Sequence, residues 1–175
     1  SGRGLFQVDY CHIDEFLANN YAMWQKLLGA HCRLSMAIDP ERSLVEIDTG
    51  QIAQLISNLL LNAEEADAQN ITLRTSCRTI TTADVHFWQY TAEPLAEGRY
   101  VIITVADDGK GMDSHTREKL FDPFFTTKFT GRGLGMAASL GIVRGHRGGI
   151  AVRSQRNGGS TFEIAFPLVN PERNR

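Results

Sequence analysis

Three short stretches of the chain carry residues whose chemistry depends on their spacing. Asp107-x-Gly109-x-Gly111 follows the apolar run Val101-Ile102-Ile103-Thr104-Val105-Ala106, and Gly131-Arg132-Gly133-Leu134-Gly135-Met136 leads into an Ala- and Leu-containing segment. Between them lies Phe124-Phe125-Thr126-Thr127-Lys128. The β-branched run reads as a buried strand that delivers Asp107 to a turn, where glycines at 109 and 111 permit close backbone approach. Glycines that open a helix present free backbone N–H groups, the usual seat of a phosphate. Residues 104–141 therefore read as a nucleotide pocket with a movable cover. A carboxylate at the strand end would accept the exocyclic amine of adenine, a charged hydrogen bond of about 1.5–3 kcal/mol. Guanine carries an acceptor at that position and would be disfavoured.

A fourth group lies upstream. Asn58 and Asn62 are four apart on a strongly amphipathic segment and Glu65 is three further on, so all project along one stripe beside the apolar face. An amide oxygen is a suitable hard ligand for Mg²⁺, leaving other positions to water and phosphate. Spacing alone favours ordinary helix-surface asparagines over a metal site. An isolated Asp-Gly turn is likewise more often structural than functional.

Other chemistries fail on context. Gly133-x-Gly135-x-x-Ala138 satisfies the dinucleotide fingerprint formally, but no buried strand precedes it and no acidic residue follows about twenty positions on. Gly109-Lys110 lacks the upstream glycine and the following Ser or Thr of a phosphate loop. No Ser/His/Asp order or His-Glu-x-x-His occurs. His12, His31, His86, His115 and His146 stand apart from one another and read as surface or helix-end residues.

These residues need elements to hold them. Ile13, Phe16, Leu17, Tyr21, Trp24, Leu27 and Leu28 recur at helical spacing and predict a helix over 10–28, capped by Asp9 and ended by Gly29. Leu34, Met36 and Ile38 alternate with polar or small residues, and Leu44-Val45-Glu46-Ile47 returns after Asp39-Pro40-Glu41, which predicts a β-hairpin at a sheet edge. Ile52, Leu55, Ile56, Leu59, Leu60, Ala63 and Ala66 predict a second helix over 49–68. Strands are expected at 71–75 and 100–105, joined by a long hairpin connection whose Phe87, Trp88 and Tyr90 would cover the sheet end. A short helix over 114–121, broken by Asp122-Pro123, and a third main helix over 133–144 follow. Strands at 148–154 and 161–167, joined through Gly158-Gly159, close the chain.

With 175 residues and 42% hydrophobic content, one domain is expected. A net charge of −2 with scattered Lys and Arg gives no footprint for nucleic acid. Cys11, Cys32 and Cys77 are odd in number and far apart, suggesting neither a disulfide framework nor a zinc site and fitting a reducing cytoplasmic setting. No apolar run approaches the roughly 18 residues of a membrane span, so no membrane contact is expected of this domain.

Asn58-x-x-x-Asn62, Asp107-x-Gly109-x-Gly111, Phe124-Phe125-Thr126-Thr127-Lys128 and Gly131-x-Gly133-Leu134-Gly135, in that order, resemble the N, G1, F and G2 boxes of sensor histidine kinases. The resemblance extends over nearly the whole chain, including the closing Gly159-Ser160-Thr161-Phe162. It implies an α+β two-layer sandwich of the Bergerat (GHKL) kind, a mixed sheet with three main helices on one face and an ATP lid. Residues 10–169 would be the catalytic and ATP-binding domain, 1–9 the tail of a preceding dimerisation helix or a linker, and 170–175 a C-terminal tail.

The same resemblance implies roles. ATP and Mg²⁺ would be bound, with Asn62 on the metal and Asn58 near the phosphates. Asp107 would bind the adenine amine, Gly109 and Gly111 would let the base approach, and Met112 would pack on it. Lys128, Arg132 and the amides of Gly133, Leu134 and Gly135 would reach the phosphates; Asn58, Asn62 and Lys128 would form the catalytic set. Glu65, Ala66, Thr127, Gly131, Met136 and Ser160 complete the implied ATP site. Residues 112–132 would be the lid, with Phe124 and Phe125 packing it and touching the helix that bears the phosphoacceptor histidine. The implied activity is transfer of the γ-phosphoryl group of Mg-ATP to a histidine on a separate dimerisation/phosphoacceptor domain of the same protein, in two-component signalling with a response regulator receiver domain served indirectly. Three positions depart from the family pattern: Glu65 stands where a basic residue is frequent, Arg132 where Thr is common, and Ser160 where Thr is usual. No phosphoacceptor histidine is recognisable, since His12 lacks the expected flanking charges. An ATPase of the same fold, as in chaperone, mismatch-repair and gyrase relatives, and an interaction module without kinase activity are the alternatives.

Overall fold

A computed structural model describes residues 6–88, 90–91, 93–122 and 134–170. The chain opens with β1 (Asp9–His12), which runs directly into α1 (Ile13–Leu28). α1 buries Ile13, Phe16, Leu17, Trp24 and Leu28, and ends at Gly29, whose φ of 76° closes the last turn on the carbonyl of Lys26. The helix starts later than its apolar spacing suggests. Asp9 does not cap it: residues 9–12 pair as a strand instead, and His12 occupies the cap position without a side-chain cap.

The predicted hairpin between residues 34–38 and 44–47 does not form. β2 (Arg33–Ala37) lies parallel to β4 (Asn70–Ile80), whereas β3 (Leu44–Ile47) pairs antiparallel with β1 in a separate two-stranded sheet. Alternation marks which residues are extended, but not which edge they meet. Here Leu34 and Met36 fall opposite Ile71 and Leu73, and the amide of Asp39 is held by the Thr75 hydroxyl at 2.9 Å, so the turn leads away from β2.

α2 (Thr49–Glu65) is capped by Asp48, whose carboxylate accepts from the amide of Gln51 at 3.0 Å. Ile52, Leu55, Ile56, Leu59, Leu60 and Ala63 form its buried stripe. Burial of each large aliphatic side chain is worth about 1.5–3 kcal/mol relative to exposure. The stripe therefore decides which way Asn58 and Asn62 face.

β5 (Gly98–Asp107) is the central strand of the five-stranded sheet, whose order is β2-β4-β5-β7-β6. It pairs antiparallel with β4 and with β7 (Ser160–Pro167), and β7 pairs antiparallel with β6 (Gly149–Ser154). α3 (Ser114–Lys119) and α4 (Leu134–Gly145) lie between β5 and β6 in the chain. One sheet face, with Val101, Ile103 and Val105 at its centre, packs into a single core with the buried residues of α1, α2 and α4. This is the expected two-layer arrangement. The opposite face carries a smaller cluster of Ile80, Phe87, Leu95, Tyr100, Ile102, Ala151 and Ala165. Phe87 of the connection from β4 to β5 thus covers a sheet face and not the sheet end, while Tyr90 packs on Phe121 and donates to the Arg117 carbonyl at 3.3 Å. Among the described residues, no helix is long and apolar enough to cross a membrane.

Candidate functional site

The adenine end of the proposed pocket is built at the C-terminal end of β5. Asp107 sits opposite Ser160 of β7, and one of its carboxylate oxygens accepts from the amide of Gly109 at 2.8 Å. Burial pushes the Asp107 carboxyl above the ordinary carboxylate range, an effect opposed by the Gly109 and Ser160 backbone amides and reinforced by the charge of Asp108. The neighbouring Asp108 has a different occupation. It accepts from the amides of Gln69 and Asn70 at 2.8 and 2.9 Å and from the Asn70 side chain at 2.9 Å. These bonds, that of the Asn70 side chain foremost, hold its carboxyl below the usual range. Asp108 ties the start of β4 to the end of β5, whereas Asp107 accepts only from backbone amides.

The glycine turn after Asp107 is clamped from two sides. Gly109 lies against Ala66 at the end of α2, where an added Cβ would come within 2.6 Å of the Ala66 carbonyl, and the amide of Lys110 donates to that same carbonyl at 2.8 Å. Gly111 has a φ of 67°, and a Cβ there would collide with the carbonyl of Gln155 in the β6–β7 turn. Met112 follows with its amide donating to the Ser154 hydroxyl at 2.7 Å, and its side chain packs against the core. Ser154 in turn meets the Ser160 hydroxyl at 2.7 Å and the Gly159 carbonyl at 3.1 Å. Ser160 is buried beside Asp107. Ala66 thus serves the site as a floor beneath the turn, through its backbone.

The other end lies where α2 meets α4. The Asn58 amide nitrogen donates to the Gly135 carbonyl and to the Ser139 hydroxyl, both at 3.2 Å, and its oxygen accepts from Gln54 at 2.8 Å. Asn58 therefore holds the first turn of α4. Asn62, one turn further along α2, is half-buried and makes no side-chain hydrogen bond among the described residues. Glu65 lies on the same helix, half-buried and with an interaction of its own. Leu134 and Gly135 open α4, and the Met136 side chain is buried in the core, leaving only its backbone to the site. Phe124, Phe125, Thr127, Lys128, Gly131, Arg132 and Gly133 lie outside the described residues, as does the stretch 123–132 of the expected lid.

Two residues of this site escape motif reading, Ser154 and Ser139. Both leave the same trace in the sequence: a hydroxyl at an inward position of an apolar pattern. Ser154 continues the series Ile150, Val152, and Ser139 stands in the stripe Met136, Leu140, Val143. Buried polar groups require partners, so each such interruption marks a hydrogen-bond site.

The residues present fit an adenine nucleotide. Asp107 offers a half-buried carboxylate with backbone donors at the end of β5, and Asn62 lies one turn along α2 from Asn58, which bonds the first turn of α4. Among the described residues, no group of three or more His, Cys, Asp or Glu side chains forms a metal cage. Mg²⁺ held by one amide oxygen and by phosphates needs no such cage.

Comparison with known proteins identifies the family. Residues 47–170 match the family of histidine kinase-, DNA gyrase B- and HSP90-like ATPases. The chain belongs to that family. It is 35% identical to sensor kinase CckA of Brucella abortus, over 99% of the chain and 18% of that protein. It is 37% identical to the signal transduction histidine-protein kinase AtoS of Escherichia coli K12, over 79% of the chain and 20% of that protein. The chain thus spans about a fifth of the length of these relatives. Among solved structures, it resembles the catalytic domain of histidine kinase ThkA with a TM-score of 0.67 and 25% identity, covering 93% of this chain and 96% of that one. The mycobacterial sensor histidine kinase MprB shares the fold with a TM-score of 0.70 at 16% identity, covering 93% and 98%.

Proposed function

We propose that the chain binds Mg-ATP and presents its γ-phosphoryl group for transfer to a histidine on a separate dimerisation/phosphoacceptor domain, as part of a two-component sensor kinase. The observation that carries this reading is Asp107, a half-buried carboxylate at the end of the central strand, backed by the Gly109 and Ser160 amides. In this reading Asp107 accepts the adenine amine, Met112 packs on the base, and the amides of Leu134 and Gly135 face the phosphates from the start of α4. Asn62 would hold Mg²⁺, which when bound would supply charge neutralisation at the phosphates. No side chain need form a covalent bond to phosphorus; the chain contributes positioning and charge stabilisation.

One observation favours phosphotransfer over hydrolysis. Family ATPases that drive motion place a glutamate base four residues before the metal asparagine, and here that position is Asn58, whose amide cannot take a proton from water and is engaged with α4. Steady-state phosphate release by the chain alone is therefore expected to be slow.

The test is calorimetric. Asp107→Asn should reduce ATP affinity by about 10- to 100-fold, the size of a charged hydrogen bond replaced by a mismatched amide. Asn62→Ala should weaken ATP in Mg²⁺ and change little in EDTA. Normal affinity in both variants would sink the assignment. Labelling of an added phosphoacceptor domain by γ-labelled ATP, with an acid-labile product, separates histidine transfer from serine transfer and from binding alone.

A further inference from the structure

The phosphate end of the site depends on a buried hydroxyl. Ser139 is fully buried in α4, on the apolar stripe with Met136, Leu140 and Val143. A buried hydroxyl without partners costs about 1–3 kcal/mol, and this one has two. Its proton goes to the Gly135 carbonyl at 2.7 Å, and its lone pair receives the Asn58 amide nitrogen at 3.2 Å. The same Asn58 nitrogen also reaches the Gly135 carbonyl at 3.2 Å. Asn58, Gly135 and Ser139 therefore close a triangle joining the middle of α2 to the first turn of α4.

The triangle has directional consequences. An asparagine amide can present either its NH₂ or its oxygen to a neighbour. With the Ser139 proton committed to Gly135, both partners on the α4 side are acceptors, so only the NH₂ can face them. The Asn58 oxygen is consequently turned to Gln54, from which it accepts at 2.8 Å. We propose that Ser139 is a positioning residue for the triphosphate: it orients the Asn58 amide and thereby fixes the first turn of α4 relative to the helix that carries Asn62. This rests on the Mg-ATP reading above and adds to it a residue that touches neither nucleotide nor metal.

A purely structural serine and a positioning serine differ in what their loss disturbs. Removing the hydroxyl leaves Asp107, Gly109, Gly111 and their clamps untouched, so the adenine end should be unaffected. Binding of Mg-ATP and of adenosine, each measured by displacement of a fluorescent ATP analogue, reports the two ends separately. Ser139→Ala should weaken Mg-ATP about three- to tenfold, the size of one net hydrogen bond, and adenosine by less than about twofold. Ser139→Cys keeps the volume while weakening the hydrogen bonds, and should show the same split if the alanine variant folds poorly. Combining Ser139→Ala with Asn58→Ala should weaken Mg-ATP no more than Asn58→Ala does alone, because both act through one triangle. Full additivity, an equal loss for ATP and adenosine, or unchanged Mg-ATP affinity in both Ser139 variants would overturn the role of Ser139 while leaving the function intact. Failure of the unaltered chain to bind Mg-ATP would overturn both.

Discussion

The two ends of the proposed nucleotide site are held by opposite means. At the adenine end, backbone is pressed against backbone: Gly109 on Ala66, Gly111 on Gln155, and the amide of Lys110 on the Ala66 carbonyl. At the phosphate end, two helices are joined by side chains, through Asn58 and Ser139. At Gly109 and Gly111 the backbone contacts leave no room for a Cβ, and at Gly111 the backbone is also left-handed. Side-chain bonds of the second kind are each worth only about 0.5–1.5 kcal/mol net and tolerate an added Cβ beside them. In the proposed reading the base would meet a surface set by backbone contacts, and the phosphates one set by two side chains.

Glycine substitution is the strongest way to break this contrast. Gly111→Ala should destabilise the fold by about 2–3 kcal/mol, combining a strained φ with overlap on the Gln155 carbonyl, and should lower the denaturation midpoint. A smaller loss, about 1–2 kcal/mol, is expected for Ser154→Ala, which leaves the Met112 amide without its acceptor; adenosine affinity should fall with it, unlike in Ser139→Ala. Gly135→Ala should change stability by under about 1 kcal/mol, because a Cβ there meets the Asn58 side chain at an ordinary 3.6 Å. A Gly135→Ala loss as large as that at Gly111 would erase the distinction between the two ends.

The smallest effects sharpen the contrast between neighbouring carboxylates. Asp107 has a raised folded-state pKa, so its contribution to stability is present in acid and is lost as pH rises through that value. Asp108 has a lowered one, so its contribution is present above the unfolded carboxylate range and is lost as pH falls through the folded value. Urea midpoints from pH 3 to 7 should accordingly move Asp107→Asn upward against the parent as pH rises, and Asp108→Asn downward. Parallel curves for the two variants would show that the carboxylates do not differ as described.

Much of this was legible without coordinates where physics is local. The stripe of α2, the buried run of β5 and the glycines after Asp107 each impose a conformation on their own few residues. Pairing was not legible. Residues 34–37 and 44–47 are strands as their alternation indicates, yet they join different sheets, because the partner edges are supplied by β4 and by residues 9–12. Helical spacing extends the α1 expectation back to residue 10, since apolar spacing cannot show that a strand ahead of a helix has a partner about 35 residues away.

The site divides along the same line. Residue types and their order along the chain supplied Asp107, the glycine turn, the two asparagines and the start of α4, because those features are written in contiguous residues. Only the tertiary structure decided that Asp108 is consumed by Asn70, that Asn58 faces α4, and that the hydroxyls of Ser139 and Ser154 accept from the Asn58 side chain and the Met112 amide. Each of those outcomes depends on a hydrogen-bond partner 38 to 81 residues distant. Such partners are chosen by how the helices and sheet pack, which no local pattern of residues encodes.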